Sequence, residues 1–572
     1  MEFPTSKKEL ERLGWDYIDV ILITGDAFID HPSFGVAIIA RVLQKLGYRV
    51  AIVPQPNWRD DLRDFKKLGA PRLFFGISAG SMDSMVNHYT ATKRLRSDDA
   101  YTPGGLAGQR PDYASIIYAQ IVRQLYPTTP IVLGGIEASL RRFAHYDYWS
   151  DRVKQSILLE SNADLVVYGM GEQAITDIAI QLDNGIAVQN IRSVPQTAYS
   201  VSSRLDLPNN CIELHSYEEC STNKKAYAEN FKIIEEQSNS WNAQKIVQKI
   251  GDRYVVVNEP YELYTEAELD AIYALPYTRQ PHSRYAKKPP IPAFEMIKHS
   301  VTMHRGCFGG CSFCTISAHQ GKFVVSRSKQ SILQELSDIS SMPYFKGHIT
   351  DLGGPSANMY RMQGKDLELC RVCKRASCLF PAKCKNLNDD HSHLITLYKE
   401  SVRIPGIKHV TIGSGIRLDL LQGSKTEREY TSLLLQKHVS GRLKVAPEHT
   451  EPQVLSLMRK PPFASFEAFK KIFDEHNTKF GLRQQLIPYF ISSHPGCSAQ
   501  DMKHLSNRLR NLQLMPEQVQ DFTPTPMTLA TVMYYTGLNP YTGKPLFSAK
   551  TKAEKDAQKS SFFWYTQKGN RK

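Results

Sequence analysis

The chain has 572 residues, which at roughly 150 per domain implies two to four domains with cores large enough to need no disulfides. Hydrophobic residues make up 41% and charged residues 22%, which excludes wholesale disorder, and no run of about 18 apolar residues is present to span a membrane. Lys and Arg number 71 against 57 Asp and Glu, a net of +14, a balance that suits a basic soluble enzyme or a chain that meets nucleic acid.

The N-terminal MEFPTSKKELERLGWD has no apolar core of a secretory signal, so the expectation is a cytoplasmic protein with no membrane partner. Residues 17–24, 48–54, 72–78, 130–139 and 163–170 are apolar runs of buried-strand type, and helical spacing intervenes at 34–48 and 111–127 and follows at 171–182. That alternation predicts a doubly wound parallel α/β sheet over 1–185, with ligands beyond the carboxyl ends of its strands. Residues 186–295 lose the pattern and read as an irregular insert ending in a Pro-rich connector, YAKKPPIP at 285–292. The alternation resumes over 296–536, where six strands with crossover helices predict a partial (β/α)6 barrel whose chemistry lies at the strand C-terminal ends. The stretch 537–572 reads as a basic, mobile tail. Its last 29 residues hold eight basic and two acidic side chains, a solvated end or a nucleic-acid contact.

Seven of the ten cysteines lie between 307 and 384, and clustered thiols in a reducing compartment mean metal or redox chemistry more often than disulfides. The central motif is HRGCFGGCSFCTI, with Cys307, Cys311 and Cys314 just after the first strand of the second domain. Three thiolates on a glycine-bearing loop can wrap one face of an iron–sulfur cubane and leave its fourth iron without a protein donor. Such an iron can bind a small molecule, whereas a four-Cys cluster only moves electrons. Zinc would need a fourth ligand, and His304 lies outside the motif.

With Phe313 at the aromatic position, this motif resembles that of the radical S-adenosylmethionine (SAM) superfamily. The N-terminal sheet, the GCFGGCSFC loop, LGGPSANMY, a second Cys group and QDFTPTPMTLATVMYYTGLNPYTG at 520–543 together resemble the YgiQ family of uncharacterised radical SAM proteins over nearly the whole chain. The resemblance implies a 4Fe–4S cluster on Cys307, Cys311 and Cys314 and SAM on its open iron. It also implies a reductant protein such as flavodoxin or ferredoxin, and a 5′-deoxyadenosyl radical that takes hydrogen from a substrate the family does not identify. Gly353 and Gly354 resemble the superfamily's Gly-Gly-Glu segment, which receives the SAM amino group, although Pro355 and Ser356 follow in place of Glu. By position, Gly413 and Ser414 are candidates to face SAM or substrate, Glu448 and His449 sit where related enzymes contact ribose, and SSHPGC at 492–497 resembles an adenine-contact segment.

The second group, Cys370, Cys373, Cys378 and Cys384, can close around one metal centre. An auxiliary iron–sulfur cluster, a zinc ion and reduced thiols without metal remain open. The first sheet resembles the cobalamin-binding domain fused to many radical SAM enzymes, but GDAFIDHPSFG lacks the Asp-x-His-x-x-Gly pattern. Cobalamin is therefore expected to be absent, and a base-off mode without a protein ligand stays open. The function expected is a radical SAM enzyme on an unknown substrate. The alternative is a non-catalytic iron–sulfur or zinc protein that binds nucleic acid. No GxxxxGK[ST], GxSxG or HExxH motif supports phosphotransfer or hydrolysis.

Overall fold

The computed structural model describes residues 2–563. Nine strands of the N-terminal half form one sheet. Five are parallel, lying side by side as Val50–Pro54, Val20–Thr24, Phe74–Ser78, Ile131–Leu133 and Leu165–Val167, a 2-1-3-4-5 order. These strands are apolar throughout because both faces are covered. Val20 and Leu22 pack with helices Gly35–Lys45 and Glu172–Asp183, while Ile21 and Ile23 pack on the other face with helix Ala114–Leu125. The order reverses between Val20–Thr24 and Phe74–Ser78, and at such a switch point an open α/β sheet offers a crevice.

Residues 186–295, expected to be irregular, extend the same sheet. Thr197–Val201 runs antiparallel to Leu165–Val167, Arg253–Val257 runs antiparallel to Thr197–Val201, and Ile246–Ile250 pairs with Arg253–Val257 in a hairpin. The hairpin turns at Gly251 with φ of +60°, the left-handed conformation that two-residue loops demand. The Pro-rich join is packed rather than free. Tyr285 and Ile291 are buried in the N-terminal core, and Pro292 opens the helix Pro292–Ile297.

The second half carries the expected partial barrel. Its strands in chain order are Ser300–Thr302, Asp351–Gly353, His409–Val410, Arg442–Glu448, Gln485–Ser492 and Gln518–Asp521. Pairing is parallel, with Ser300 opposite Asp351, Arg442 opposite Gln485 and Tyr489 opposite Gln518. Helices such as Lys329–Ser340, Ser392–Ser401 and Ala499–Asn511 alternate with the strands and bury Ile332, Leu336, Leu394 and Leu505 in one core.

The stretch 537–572 needs correction in its described part. Helix Lys552–Ser560 docks on the barrel. Gln558 accepts from the Ser493 amide and donates to the Cys497 carbonyl, both at 2.9 Å. Lys555 donates to the Tyr148 hydroxyl at 2.6 Å, and Phe562 is buried in the barrel core. Its apolar, amide and lysine side chains together decide its place, Lys559 pairing with Asp521 at 2.9 Å. The basic residues after 563 lie outside the described residues. Among the described residues no helix is long and apolar enough to cross a membrane.

Candidate metal centre and active-site cavity

Strand Ser300–Thr302 leads through His304–Arg305 into the first cysteine loop. Two glycines shape that loop. Gly306 has φ of +84°, and a Cβ there would stand 2.1 Å from the Phe323 carbonyl oxygen; Gly310 has φ of +59°, and a Cβ there would stand 2.3 Å from that of Ala376. Any side chain at either position would push the loop off its neighbours. Cys307, Cys311 and Cys314 are half-buried and free of disulfides. Burial, reinforced by the neighbouring Cys311 sulfur, pushes the Cys314 thiol up to about 12. Cys307 is raised for the same two reasons, against the pull of Arg417.

Arg417 is the group that sequence reasoning missed here. Its Nη1 donates to the Cys311 sulfur at 3.1 Å, and its Nη2 pairs with Asp419 at 2.6 Å. Thiolates buried together need such a cation, since each disfavours the charge of the next. The Arg417 signal was absent from the sequence because it lies 106 residues from Cys311 and carries no local motif. Among the described residues no three Cys, His, Asp or Glu side chains converge on a single ion. The half-buried Cys triad, the glycine clearance and the adjacent guanidinium are chemically suited to a thiolate-ligated iron–sulfur cluster.

Beside this loop lies a cavity of about 870 Å³ walled by both halves. The sheet contributes the strand ends at Thr24, Ser78, Gly80 and Gly134, and the barrel contributes His304, Arg305, Ile316, Gly353, Gly354 and Gly413. Gly353 and Gly354 are tight by necessity. A Cβ on Gly353 would lie 1.9 Å from the Ser414 hydroxyl, and one on Gly354 would lie 2.4 Å from the His304 ring. Asp351, also missed from sequence, accepts from the Gly413 amide at 2.8 Å and from Ser414 Oγ at 3.2 Å. Ser414 in turn accepts from the Gly354 amide at 3.3 Å. Ser414 thus braces the glycine turns and is not itself among the residues lining the cavity.

His304 is fully buried, and among the described residues neither ring nitrogen has a hydrogen-bond partner. Burial pushes its imidazole down to about 3, so it is neutral near pH 7 and offers one donor and one acceptor. Glu448, in the left-handed region at φ of +68°, is buried beside Lys460 at 3.6 Å. Burial raises its carboxyl, and Lys460 opposes the rise. It lies within electrostatic reach of Cys314 and outside the cavity wall. His449 requires a correction. Its Nδ1 accepts from the Glu451 amide at 3.1 Å and its Nε2 faces the Cys497 sulfur at 3.5 Å. Nδ1 is engaged within its own loop and Nε2 across to the turn after Gln485–Ser492, and the ring is not part of the cavity wall.

The segment with Cys370, Cys373, Cys378 and Cys384 packs directly on the first loop. The Cys378 amide donates to the Phe308 carbonyl at 3.0 Å, and Ser377 Oγ donates to the Gly309 carbonyl at 2.8 Å. Phe308, Leu379, Leu387 and Met362 form an apolar wall that also touches Cys307, Cys378 and Cys384. Burial pushes the Cys378 thiol up to about 11, with Lys322 opposing.

Residues 3–300 match the family described as "Radical SAM N-terminal", and 517–555 match a domain of unknown function, DUF3362. A UPF0313 protein of Bacteroides thetaiotaomicron is 58% identical over 98% of this chain and 94% of its own length, and one of Methanocella arvoryzae is 48% identical over 96% and 91%. In overall fold the chain is similar to the radical S-adenosylmethionine methyltransferase TsrM of Kitasatospora setae, a structure described with cobalamin and a [4Fe-4S] cluster bound. The TM-score is 0.50 at 12% identity, with 93% of this chain and 87% of that one covered. Identity of 48–58% to relatives over nearly the whole chain, together with the N-terminal match, means that this chain belongs to the UPF0313 family and is an enzyme of the radical SAM class.

Proposed function

We propose that the chain cleaves S-adenosylmethionine reductively at a 4Fe–4S cluster on Cys307, Cys311 and Cys314 and starts radical chemistry on a substrate held in the interdomain cavity. The observation that carries this reading is a three-thiol, glycine-cramped loop, with no fourth Cys or His inside its Cys307–Cys314 motif, whose flanks Arg305 and Ile316 line that cavity. A bound cluster with SAM supplies the electron that breaks a sulfonium carbon–sulfur bond. The chain's own groups do the rest. Arg417 offsets the thiolate charge. Gly353 and Gly354 bare the backbone for a ligand's amino group, held in register by Ser414 and Asp351. His304 holds or gives one hydrogen bond inside the cavity without changing charge. Mostly apolar walls on the sheet side exclude water from a reactive radical. A cytoplasmic location suits ten cysteines that are all free.

The test is anaerobic. Reduced protein mixed with SAM is expected to release 5′-deoxyadenosine, and the reduced cluster's electron paramagnetic resonance (EPR) signal is expected to shift when SAM is added. An unshifted signal with no deoxyadenosine overturns the assignment.

One observation favours a second occupant of the same cavity. Its sheet side, at the switch point, is floored by Thr24, Ser78, Gly80 and Gly134, a surface poor in side chains where a flat ligand can lie. Cobalamin, bound in the TsrM structure, is such a ligand, and His31 is not placed to ligate it. Its Nδ1 accepts from the Ser33 amide at 3.0 Å, and the ring is not part of the cavity wall. This second reading predicts that hydroxocobalamin added to the protein stays bound through gel filtration in a base-off form. Complete separation of the two removes it.

A further inference from the structure

We propose that Cys370, Cys373, Cys378 and Cys384 hold a second 4Fe–4S cluster, ligated wholly by protein, that relays electrons to the first. The second cluster stands on its own residues, and only the relay rests on the function proposed above.

Four features carry it. The segment is folded so that the thiols are gathered. The Cys373 amide donates to the Cys370 carbonyl at 3.2 Å, and the Cys384 amide donates to the Cys378 carbonyl at 2.8 Å. Gly364 leaves the room that Cys370 needs, since a Cβ there would meet its sulfur at 2.4 Å. Lys322 supplies the second feature. It is 1% exposed, and among the described residues it has no carboxylate within ion-pair distance. Its ammonium donates to the Arg375 carbonyl at 2.7 Å and lies 3.9 Å from the Cys373 sulfur. A buried cation without a carboxylate needs another anion, and a thiolate-ligated cluster is one. Asn386 adds an N–H to the Cys370 sulfur at 3.5 Å, of the kind that tunes iron–sulfur potentials.

The third feature selects the metal. Ammonium and amide donors stand at the Cys373 and Cys370 sulfurs, and such donors tune the potential of an iron–sulfur cluster, whereas zinc has no redox state to tune. The fourth is the junction. One peptide step from Cys307 to Phe308 and one 3.0 Å hydrogen bond from Phe308 to Cys378 join a ligand of each centre across a dry apolar wall. With four protein ligands the second cluster has no open iron and does electron transfer only. Outside it, Leu369 and Val372 are exposed beside Lys374 and Arg375, a surface that suits an acidic one-electron carrier of the flavodoxin or ferredoxin kind. The carrier loses one electron, the second cluster gains it and gives it to the first, and no proton moves.

The experiment begins with anaerobically reconstituted full-length protein. Wild type is expected to hold two cubanes per chain by Mössbauer spectroscopy and iron and sulfide assay, with only one EPR signal shifting on SAM addition. One cubane per chain overturns the proposal. The C307A/C311A/C314A variant is expected to keep one cubane and an EPR signal indifferent to SAM, and zinc or no metal in it overturns the proposal too. Two cubanes with neither signal shifting would instead defeat the function proposed above while the second cluster stands. For the relay, C370A/C373A/C378A/C384A is expected to be reduced by flavodoxin at least about tenfold more slowly than wild type but equally fast by dithionite. Equal flavodoxin rates overturn the relay.

Discussion

Replacing Cys307, Cys311 or Cys314 by Ala, one at a time, is expected to abolish deoxyadenosine formation from SAM. The expected loss exceeds about 100-fold, the upper range seen when only a supporting residue of a metal site is removed. In the proposed centre each thiol is a direct ligand in a set of three, and among the described residues no neighbouring side chain is placed to replace it. His304 is held under Gly354, and two of the three cysteines outside the two groups are committed elsewhere. Cys497 is buried against His449 and Cys220 against Asn230. Those two supply the control. Cys220→Ala and Cys497→Ala remove buried thiols and are expected to shift the melting temperature by a few degrees with iron content unchanged. Iron and sulfide assays beside deoxyadenosine chromatography decide. Full iron content in all three single-ligand variants would mean the cluster sits elsewhere.

The same contrast shows what the amino-acid sequence could disclose. A ligand triad within eight residues is a local pattern, and the glycines around it mark where the backbone turns. The parallel strands were legible because each is covered on both faces and so reads as an unbroken apolar run. The region 186–295 was misread because polar residues such as Ser200, Gln248, Lys249 and Arg253 interrupt its strands, which lie toward the sheet edge. KIVQKIGDRYVVV around Gly251 carries a hairpin signal in its two-residue Gly-Asp turn between two apolar-rich runs, but it does not resemble the runs before it. The tail was misread from its charge, although Gln558, Lys559 and Phe562 together decide where it packs. Arg417, Asp351, Lys322 and His304 act through neighbours brought near only by the fold. Arginine and aspartate at a strand end are common, so nothing local singles them out. His449 illustrates the converse. Its position after a barrel strand matched a ligand contact, but an adjacent strand end supplied Cys497 as its partner.

Glu172→Gln is expected to destabilise the protein by about 3–5 kcal/mol, the cost of leaving one member of a buried ion pair without its counter-charge. Glu172 begins the helix Glu172–Asp183 of the N-terminal sheet, and Arg305 stands two residues before Cys307 in the barrel. Their side chains are 6% and 8% exposed, with Arg305 Nη1 at 2.5 Å from Glu172 Oε1. Arg305 Nε donates to the Tyr273 hydroxyl at 3.1 Å, and the Tyr264 hydroxyl donates to Glu172 at 3.2 Å. The amide of Gln keeps the shape and most hydrogen bonds, so the loss reads the charge. Burial, the largest influence, would lower the Arg305 pKa, but Glu172 and Tyr273 together outweigh it and hold the guanidinium charged; without the carboxylate that charge stays buried and poorly compensated. The double variant E172M/R305M removes both charges and is expected to recover to within about 1 kcal/mol of wild type, because apolar replacement of a whole buried pair is often neutral. Urea midpoints at constant slope measure both. A Glu172→Gln loss below about 1 kcal/mol would show the pair to be solvated. The consequence for chemistry follows from position, since Arg305 and Glu172 both line the cavity. Their pairing fixes the sheet's ends against the start of the cysteine loop, so the double variant is expected to keep its iron and stability yet lose the alignment of cavity wall and cluster. Stability and iron restored together with deoxyadenosine formation uncoupled from substrate turnover would be the signature of that lost alignment.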